Sequence, residues 1–352
     1  MTRHLIFGDI HGCYDELVEL CSVAAVSADD VLVSVGDLVD RGPDPTRVVR
    51  FFRERAGTVV LMGNHERKHV RQVLSYSQEV TRLQMGIDYT ESVAWMQTLP
   101  YWYETEHVRV VHAALVPGVA LADQREDVLA GTTSGETFLA STFGDRYWHE
   151  HYSDPLPVAF GHHVVGPDPL VREGQVYGLD TGACHGLRLT ALSVPDFRIH
   201  SVPARADHWE TVKRQWQGAT LRSRPFGSMS WKKIDEVLAE RGASDVPEVV
   251  ELVAAIREWV GNVRGLVSAL EARVPTLTAE LRERHGASFE LAIEPHPATA
   301  LLFACAKKRF DRRAIESRCP TPEATLALAR KLGVDEALLE DAPTAMRPIV
   351  RA

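Results

Sequence analysis

Three short apolar segments near the start of the chain each end in a glycine followed by an acidic or amide residue. They lie at residues 4–7, 31–35 and 59–62 and are followed by Gly8-Asp9, Gly36-Asp37 and Gly63-Asn64. Helical patterns follow the first two, at about 14–25 and 46–56. Strands alternating with helices in this way predict an α/β fold with parallel pairing. Because ligands gather at the carboxyl ends of such strands, we expect Asp9, Asp37 and Asn64 to lie close together.

Later apolar segments extend the predicted sheets, and the pattern then becomes helical. Strands are expected at 108–112, 158–161 and 197–202, and segments 175–179 and 187–194 are predicted to pair around a turn at 180–182. From about residue 207, apolar residues recur at three- and four-residue spacing, which predicts helices at 246–270 and 275–285, the second beginning at Pro275. We therefore predict two domains, residues 1–205 and a helical domain of unknown role at 206–352.

Composition and charge exclude several classes of protein. Hydrophobic residues make up 45% and charged residues 25% of the 352, which excludes a disordered or fibrous chain. No apolar run approaches the roughly 20 residues of a membrane helix, the first residues do not form a secretory signal, and the five cysteines are scattered. We expect a cytoplasmic protein without a membrane partner. The first 205 residues carry a net charge of −10, so an anionic substrate is expected there only if metal ions neutralise some carboxylates.

Residues that suit metal ions and phosphate follow the predicted strands. They are Asp9, His11, Asp37, Asp40, Arg41, Asn64, His65, His112 and His162. Carboxylate, imidazole and amide oxygen are ligands for divalent metals, and one carboxylate shared by two half-sites bridges ions about 3.5–4 Å apart. Taken singly, each residue is equally consistent with a helix cap or a satisfied turn. Taken together, they predict a complete set of ligands for two metals.

These residues carry a resemblance to a known family. Gly8-Asp9-Ile10-His11-Gly12, Gly36-Asp37-Leu38-Val39-Asp40-Arg41-Gly42 and Gly63-Asn64-His65-Glu66 resemble the signature blocks of the phosphoprotein phosphatase branch of the calcineurin-like metallophosphoesterases. His112-Ala113-Ala114 and Gly161-His162 resemble the two later histidine blocks. The resemblance implies a metallophosphoesterase β-sandwich flanked by helices, with the helical domain appended.

The resemblance also implies a role for each residue. Asp9, His11 and Asp37 would bind one metal ion, and Asp37, Asn64, His112 and His162 the second, with Asp37 bridging. His65, supported by Asp40, would protonate the leaving oxygen, while Arg41 and Asn64 would contact the substrate phosphate. A hydroxide shared by the two ions would attack phosphorus directly. Manganese is the expected metal, with iron and zinc as alternatives.

The substrate stays open at this point. We hypothesise a phosphomonoesterase resembling Ser/Thr protein phosphatases, and the alternative is a nucleotide or RNA-end phosphatase, including dinucleoside tetraphosphate hydrolysis. The segment 178–184 resembles bacterial diadenosine tetraphosphatases, whereas His11 and Glu66 depart from their pattern. Met62 stands where protein phosphatases carry an arginine, which weakens the first hypothesis. A non-catalytic phosphate-binding scaffold is a remote alternative.

Two further features bear on partners. A second phosphate-binding arginine is expected, and Arg146 and Arg172 are both candidates. The basic run Lys307, Lys308, Arg309, Arg312 and Arg313 is a candidate contact for a nucleic acid. The alternative for that run is a solvated helix face. The expected partners are thus a phosphorylated protein, a nucleotide or an RNA end.

Overall fold

The computed structural model describes residues 2–144 and 146–334, and the chain divides into two compact units. The first unit ends at Trp216 and the second begins at Gln217, whereas the sequence pattern places the boundary near residue 205. Residues 335–352 of the predicted helical domain lie outside the described part. Within that part, none of the helices combines the length and the apolar character needed to cross a lipid bilayer.

The described part of the first unit contains ten strands. They are β1 (His4–Phe7), β2 (Val31–Ser34), β3 (Thr58–Val60), β4 (Trp102–Glu104), β5 (Arg109–Val111), β6 (Val158–Phe160), β7 (Leu170–Arg172), β8 (Val176–Gly178), β9 (Arg188–Val194) and β10 (Arg198–Pro203). One sheet has the order β10-β9-β1-β2-β3 and the other β4-β5-β6-β8-β7. The strands β1, β2 and β3 are parallel, as are β5, β6 and β8, and antiparallel strands flank both groups.

Alternation along the strands explains why two sheets stack. Successive side chains of a strand point to opposite faces, so one face of each sheet can be apolar toward the other sheet. Ile6 and Val33 of the first sheet pack with Val110 and Ala159 of the second in one buried cluster. The intervening Leu5, Phe7 and Leu32 belong to a separate cluster that includes helix residues. The result is the predicted β-sandwich flanked by helices.

Helices cover both outer faces of the sandwich. They are α1 (Tyr14–Val23), α2 (Pro45–Glu54), α3 (Asn64–Val70), α4 (Tyr76–Met85), α5 (Tyr89–Met96), α6 (Glu126–Leu129), α7 (Thr133–Phe143) and α8 (His208–Gln215). Helix α2 shows how the sequence determines a helix: Asp44 caps it by accepting from the Arg47 N–H, Pro45 begins it, and Val48 and Phe52 bury one face.

The second unit is helical. Its described helices are α9 (Gln217–Arg222), α10 (Trp231–Arg241), α11 (Pro247–His285), α12 (Phe289–Ile293), α13 (Thr299–Ala306), α14 (Arg312–Glu316) and α15 (Pro322–Lys331). The prediction of a new helix at Pro275 is wrong, because Pro275 lies inside α11. The buried stripe continues across it through Leu270, Val274 and Thr278, so burial outweighs the lost backbone hydrogen bond.

The predicted pairing of segments 175–179 and 187–194 is also wrong. Strand β8 pairs with β6 and β7, whereas β9 pairs with β1 and β10 in the other sheet. Between them, the chain makes a short turn at Ala183–His185, flanked by Gly182 and Gly186 in the left-handed conformation. A glycine turn between two strands is compatible with a hairpin and with a crossing between sheets, and here it makes the crossing.

Candidate metal centre

The predicted site residues occupy unusual backbone positions at the strand ends. Non-glycine residues rarely adopt a positive φ. Nine do so in the described part of the chain, and five of the nine are predicted site residues, namely His11, Asp37, Asp40, Arg41 and His162, with φ of 46°, 52°, 69°, 64° and 72°. Such conformations cost about 1–3 kcal/mol each and persist only where surrounding contacts hold them. Backbone strain therefore concentrates where the sequence predicts function.

Asp37 faces histidines on two sides. Its Oδ2 lies 3.6 Å from His11 Nε2, and its Oδ1 lies 3.5 Å from His112 Nε2. Ligand atoms of His11, Asp37 and His65 lie within 4.8 Å of one another, and so do those of Asp37, His112 and His162. Asp37 is the member common to both groups. The structure thus brings together two half-sites that share one carboxylate.

In the half-site of Asn64, His112 and His162, the atoms that face one another are all hydrogen-bond acceptors, and no N–H lies between them. The Nδ1–H of His112 donates to the Val35 carbonyl at 3.0 Å, which leaves a lone pair on Nε2, 3.1 Å from Asn64 Oδ1. Glu136 only accepts, so His162 donates its Nε2–H to Glu136 at 3.0 Å and leaves Nδ1 3.1 Å from the same Asn64 oxygen. Burial lowers the pKa of His112 well below the usual value and that of His162 to about 4, so both rings are neutral at pH 7.

In the other half-site, a backbone carbonyl orients the histidine ring in the same way. His11 donates its Nδ1–H to the Val39 carbonyl at 2.8 Å, and its Nε2 accepts from Arg41 at 3.1 Å. Converging lone pairs of neutral imidazole, amide oxygen and carboxylate are a coordination set for divalent metals, and carbonyl partners orient metal-binding imidazoles in this way. On this observation the residues fit two cations.

The buried carboxylates support the same interpretation. Asp9 and Asp37 are each 2% exposed, and Asp180 is 4% exposed. Burial, together with Asp180 and Asp37, raises the pKa of Asp9 well above its usual value, and burial raises that of Asp37 to about 7. Arg41 opposes both shifts. The site therefore holds more negative charge than its nearby cation balances, as expected of a centre that binds metal ions.

Close backbone approaches fix these carboxylates. Asp9 accepts from the backbone N–H of His162 with both oxygens at 3.1 Å, and a Cβ at Gly161 would collide with Asp9 Oδ1. Glu66 accepts from the backbone N–H groups of Asp37 and Leu38 at 2.9 and 2.8 Å, which joins the loop after β2 to helix α3. Burial, followed by Asp37, raises the pKa of Glu66 to about 7.

His65 and Asp40 form a separate buried pair. His65 Nδ1 lies 2.5 Å from Asp40 Oδ2, while its Nε2 lies 3.9 Å from Asp37 Oδ2. Asp40 also accepts from His69 Nε2 at 2.9 Å and from Gln78. Burial alone would raise the pKa of Asp40, but the bonds from His65 and His69 hold it well below its usual value. The Asp40 carboxylate in this position orients the His65 ring through Nδ1.

The structure separates the candidates that the sequence left open. His162 lies against Asn64 and His112, whereas the side chain of His163 is 55% exposed, with Glu136 at 3.7 Å. Arg172 lies on β7 and donates to the Tyr152 carbonyl, while Arg146 lines an apolar cavity beside His162. Met62 is buried in the cluster beneath the helices.

Sequence reasoning missed three cations close to the centre. Arg67, Lys68 and Arg71, at the end of α3, line a cavity of about 350 Å³ together with Asn64 and His162. The Nε of Arg67 is buried and has no hydrogen-bond partner in the described part of the chain. The sequence signal that could have revealed them is the group of basic residues directly after the block Gly63-Asn64-His65-Glu66.

The basic run in the second unit is exposed at each of its five cations. Arg312 pairs with Glu316 at 2.9 Å and with Glu271 at 3.1 Å. Lys307 lies over the Phe303 ring at 5.5 Å.

Comparison with known proteins identifies the family. An asymmetrical bis(5'-nucleosyl)-tetraphosphatase of Halalkalibacterium halodurans is 29% identical, over 57% of this chain and 93% of its own length. A symmetrical bis(5'-nucleosyl)-tetraphosphatase of Cronobacter sakazakii is 34% identical, over 57% of this chain and 95% of its own. A crystal structure provisionally described as a diadenosine tetraphosphatase superposes with a TM-score of 0.51 at 31% identity, covering 58% of this chain and 94% of that one. The profile of the calcineurin-like phosphoesterases matches residues 2–188, more than half of the chain. This chain therefore belongs to the calcineurin-like phosphoesterase family and is a hydrolase of phosphate esters.

Proposed function

We propose that this chain hydrolyses nucleoside polyphosphates of the dinucleoside tetraphosphate type. The observation that carries the proposal is the basic cavity beside the candidate metal centre. Arg67, Lys68 and Arg71 have no carboxylate partner in the described part of the chain, and they line the same cavity as Asn64 and His162. A phosphomonoester needs neutralising cations only at one phosphate, whereas a polyphosphate extends several charges beyond it.

Calcineurin-like phosphoesterases use a dinuclear divalent metal centre. We propose that Asp9, His11 and Asp37 hold one ion here, and that Asp37 and the group Asn64, His112 and His162 hold the other. When bound, such ions supply Lewis-acid stabilisation of phosphoryl oxygens and an activated water nucleophile. Oxygen and imidazole donors without thiolate suit manganese, which we favour over iron or zinc.

The surrounding side chains would hold the substrate and move a proton. Arg41, beside His11, offers a planar fork to a phosphate oxygen. As the general acid, His65, oriented through Nδ1 by Asp40, would present Nε2–H to the leaving oxygen. Arg67 and Lys68 would hold the phosphates that remain on the leaving group. The named activity of the tetraphosphatase relatives supports this assignment.

A substrate panel with metal-loaded protein tests the proposal. We expect kcat/KM for diadenosine tetraphosphate to exceed that for a phosphoserine peptide at least tenfold. Replacing Arg67 or Arg71 by glutamine should lower the first value about tenfold or more, since a hydrogen bond to a charged group contributes about 1.5–3 kcal/mol. Arg50→Gln is the matched control, because Arg50 pairs with Glu54 and Asp88 outside the cavity. Faster hydrolysis of the peptide, or equal effects of all three substitutions, would contradict the proposal.

One observation favours a phosphomonoesterase of the Ser/Thr phosphatase type as the second candidate. An alkoxide leaves poorly and needs a proton, and the buried His65–Asp40 pair is arranged to supply one. A nucleotide leaving group needs that help less. The same panel distinguishes the two candidates.

A further inference from the structure

A second cavity, of about 330 Å³, adjoins the basic one. Both are lined by Gly131, Glu136 and His162, so they share a wall at the candidate metal centre. The second cavity differs in character from the first: Ala113, Val128 and other apolar side chains line most of it. Its volume lies within the range of small-molecule sites, which are mostly apolar and carry a few polar groups.

Helix α7 forms one side of this cavity. Glu136, Leu139 and Ala140 are spaced at i, i+3 and i+4, so they lie on one face of the helix and line the cavity together. The side chain of Glu136 accepts from His162 Nε2 at 3.0 Å. The apolar cavity therefore begins where the proposed phosphate site ends.

The remaining lining residues supply aromatic and hydrogen-bonding groups. Tyr147 is 64% exposed, so its ring is not part of the buried core. The ring stacks against that of His149, with the ring centroids 5.6 Å apart. Trp148, by contrast, is buried in the adjoining apolar cluster. Arg146 and the exposed His163 add donors that can reach a polar edge. A flat, largely apolar group with polar edges, attached to a polyphosphate, matches this combination.

We infer that this cavity binds one nucleobase of the substrate, with the attached phosphates extending past His162 into the basic cavity. The inference rests on the proposed function, because it requires a substrate that carries both a base and several phosphates. Stacking of a base on an aromatic side chain typically contributes a factor of about 5 to 150 in affinity.

Inhibition of nitrophenyl phosphate hydrolysis tests the inference without requiring turnover of the competitor. The inhibition constant is measured for diadenosine tetraphosphate, which has bases, and for inorganic tripolyphosphate, which has none. Because the ratio of the two constants is taken on one protein, differences in basal activity cancel. We expect the wild-type protein to bind the base-bearing competitor at least tenfold more tightly.

Two variants then locate the base. Ala140→Trp fills the cavity from the exposed surface of α7, and Tyr147→Ala removes the exposed aromatic ring. Each should reduce the preference for diadenosine tetraphosphate about fivefold or more. Ser141→Trp is the matched control: it adds the same side chain one residue further along α7, outside the cavity lining, and should change neither basal activity nor the preference.

The outcomes separate this inference from the proposed function. If the wild-type preference exists but survives both variants, the base binds elsewhere and the inference is wrong. Equal affinity for both competitors also overturns it, while leaving a polyphosphate site in place. If neither compound inhibits and neither is hydrolysed, the proposed function fails and the inference fails with it.

Discussion

Replacing His65 by asparagine tests the proton donor. In the structure His65 contributes one of three side-chain bonds to Asp40, and His69 and Gln78 supply the others. The variant therefore leaves the Asp40 carboxylate with two donors, and we expect a folded protein less stable by about 1.5–3 kcal/mol, the contribution of one bond to a charged group. A general acid contributes about 10²–10⁴-fold to rate, or about 2.7–5.4 kcal/mol of transition-state stabilisation.

The loss should depend on the leaving group. On glycerol phosphate, whose alkoxide leaves poorly, His65→Asn should lower kcat at least 100-fold. On nitrophenyl phosphate, whose leaving group needs little protonation, the loss should stay within about tenfold. His69→Asn is the matched control, because it also removes a hydrogen bond to Asp40. The other ring nitrogen of His69 contacts Tyr89, so this variant should lower kcat by the same factor on glycerol phosphate and on nitrophenyl phosphate. Equal losses for His65→Asn would refute the proton-donor role.

Three further predictions concern stability, geometry and the second unit. Burial alone would raise the pKa of Glu16, but the hydrogen bonds from His208 and the Arg205 backbone lower it from 4.5 to about 2. Glu16→Gln should therefore lower the unfolding free energy by up to about 3 kcal/mol above pH 4.5, and urea titrations should show this difference shrinking as the pH falls toward 2. A pH-independent difference would contradict this. Gly161→Ala should abolish activity in a phosphatase assay, because the new Cβ would collide with Asp9. Gly265→Ala is the control: it lies at an open position of α11, so it should keep activity and add about 0.5–1 kcal/mol of stability in circular dichroism melts. If the basic run contacts a nucleic acid, replacing Lys307, Lys308, Arg309, Arg312 and Arg313 with glutamine should weaken binding of an RNA and flatten its salt dependence. Unchanged binding would assign the run to a solvated helix face, the interpretation that the ion pairs of Arg312 with Glu271 and Glu316 support.

The sequence predicted the fold and the meeting of the site residues because both depend on local pattern. Each of Asp9, Asp37 and Asn64 follows a short strand, and parallel strands bring their carboxyl ends together. The metal and catalytic roles assigned to these residues stay predictions.

What the sequence did not predict depends on tertiary contacts. Arg67 and Arg71 look like ordinary surface charges at the end of a helix. Only the fold reveals that they line a cavity and that neither has a carboxylate partner among the described residues. The apolar cavity beside α7 is formed by segments far apart in the chain, such as Ala113 and Leu139. Likewise, the turn before β9 does not state which sheet the strand joins, because its partner β1 lies at the other end of the first unit.

The metal content of Asp37→Asn, measured by elemental mass spectrometry after loading with manganese, tests the central claim most directly. Asp37 faces both half-sites, with its Oδ2 toward His11 and its Oδ1 toward His112. The account predicts two ions per wild-type chain, and at most one ion with at least a 100-fold loss of activity in the variant. Asp127→Asn, an equivalent change at a carboxylate paired with Arg125, should keep both ions. Two bound ions and normal turnover in Asp37→Asn would contradict a centre bridged by this residue.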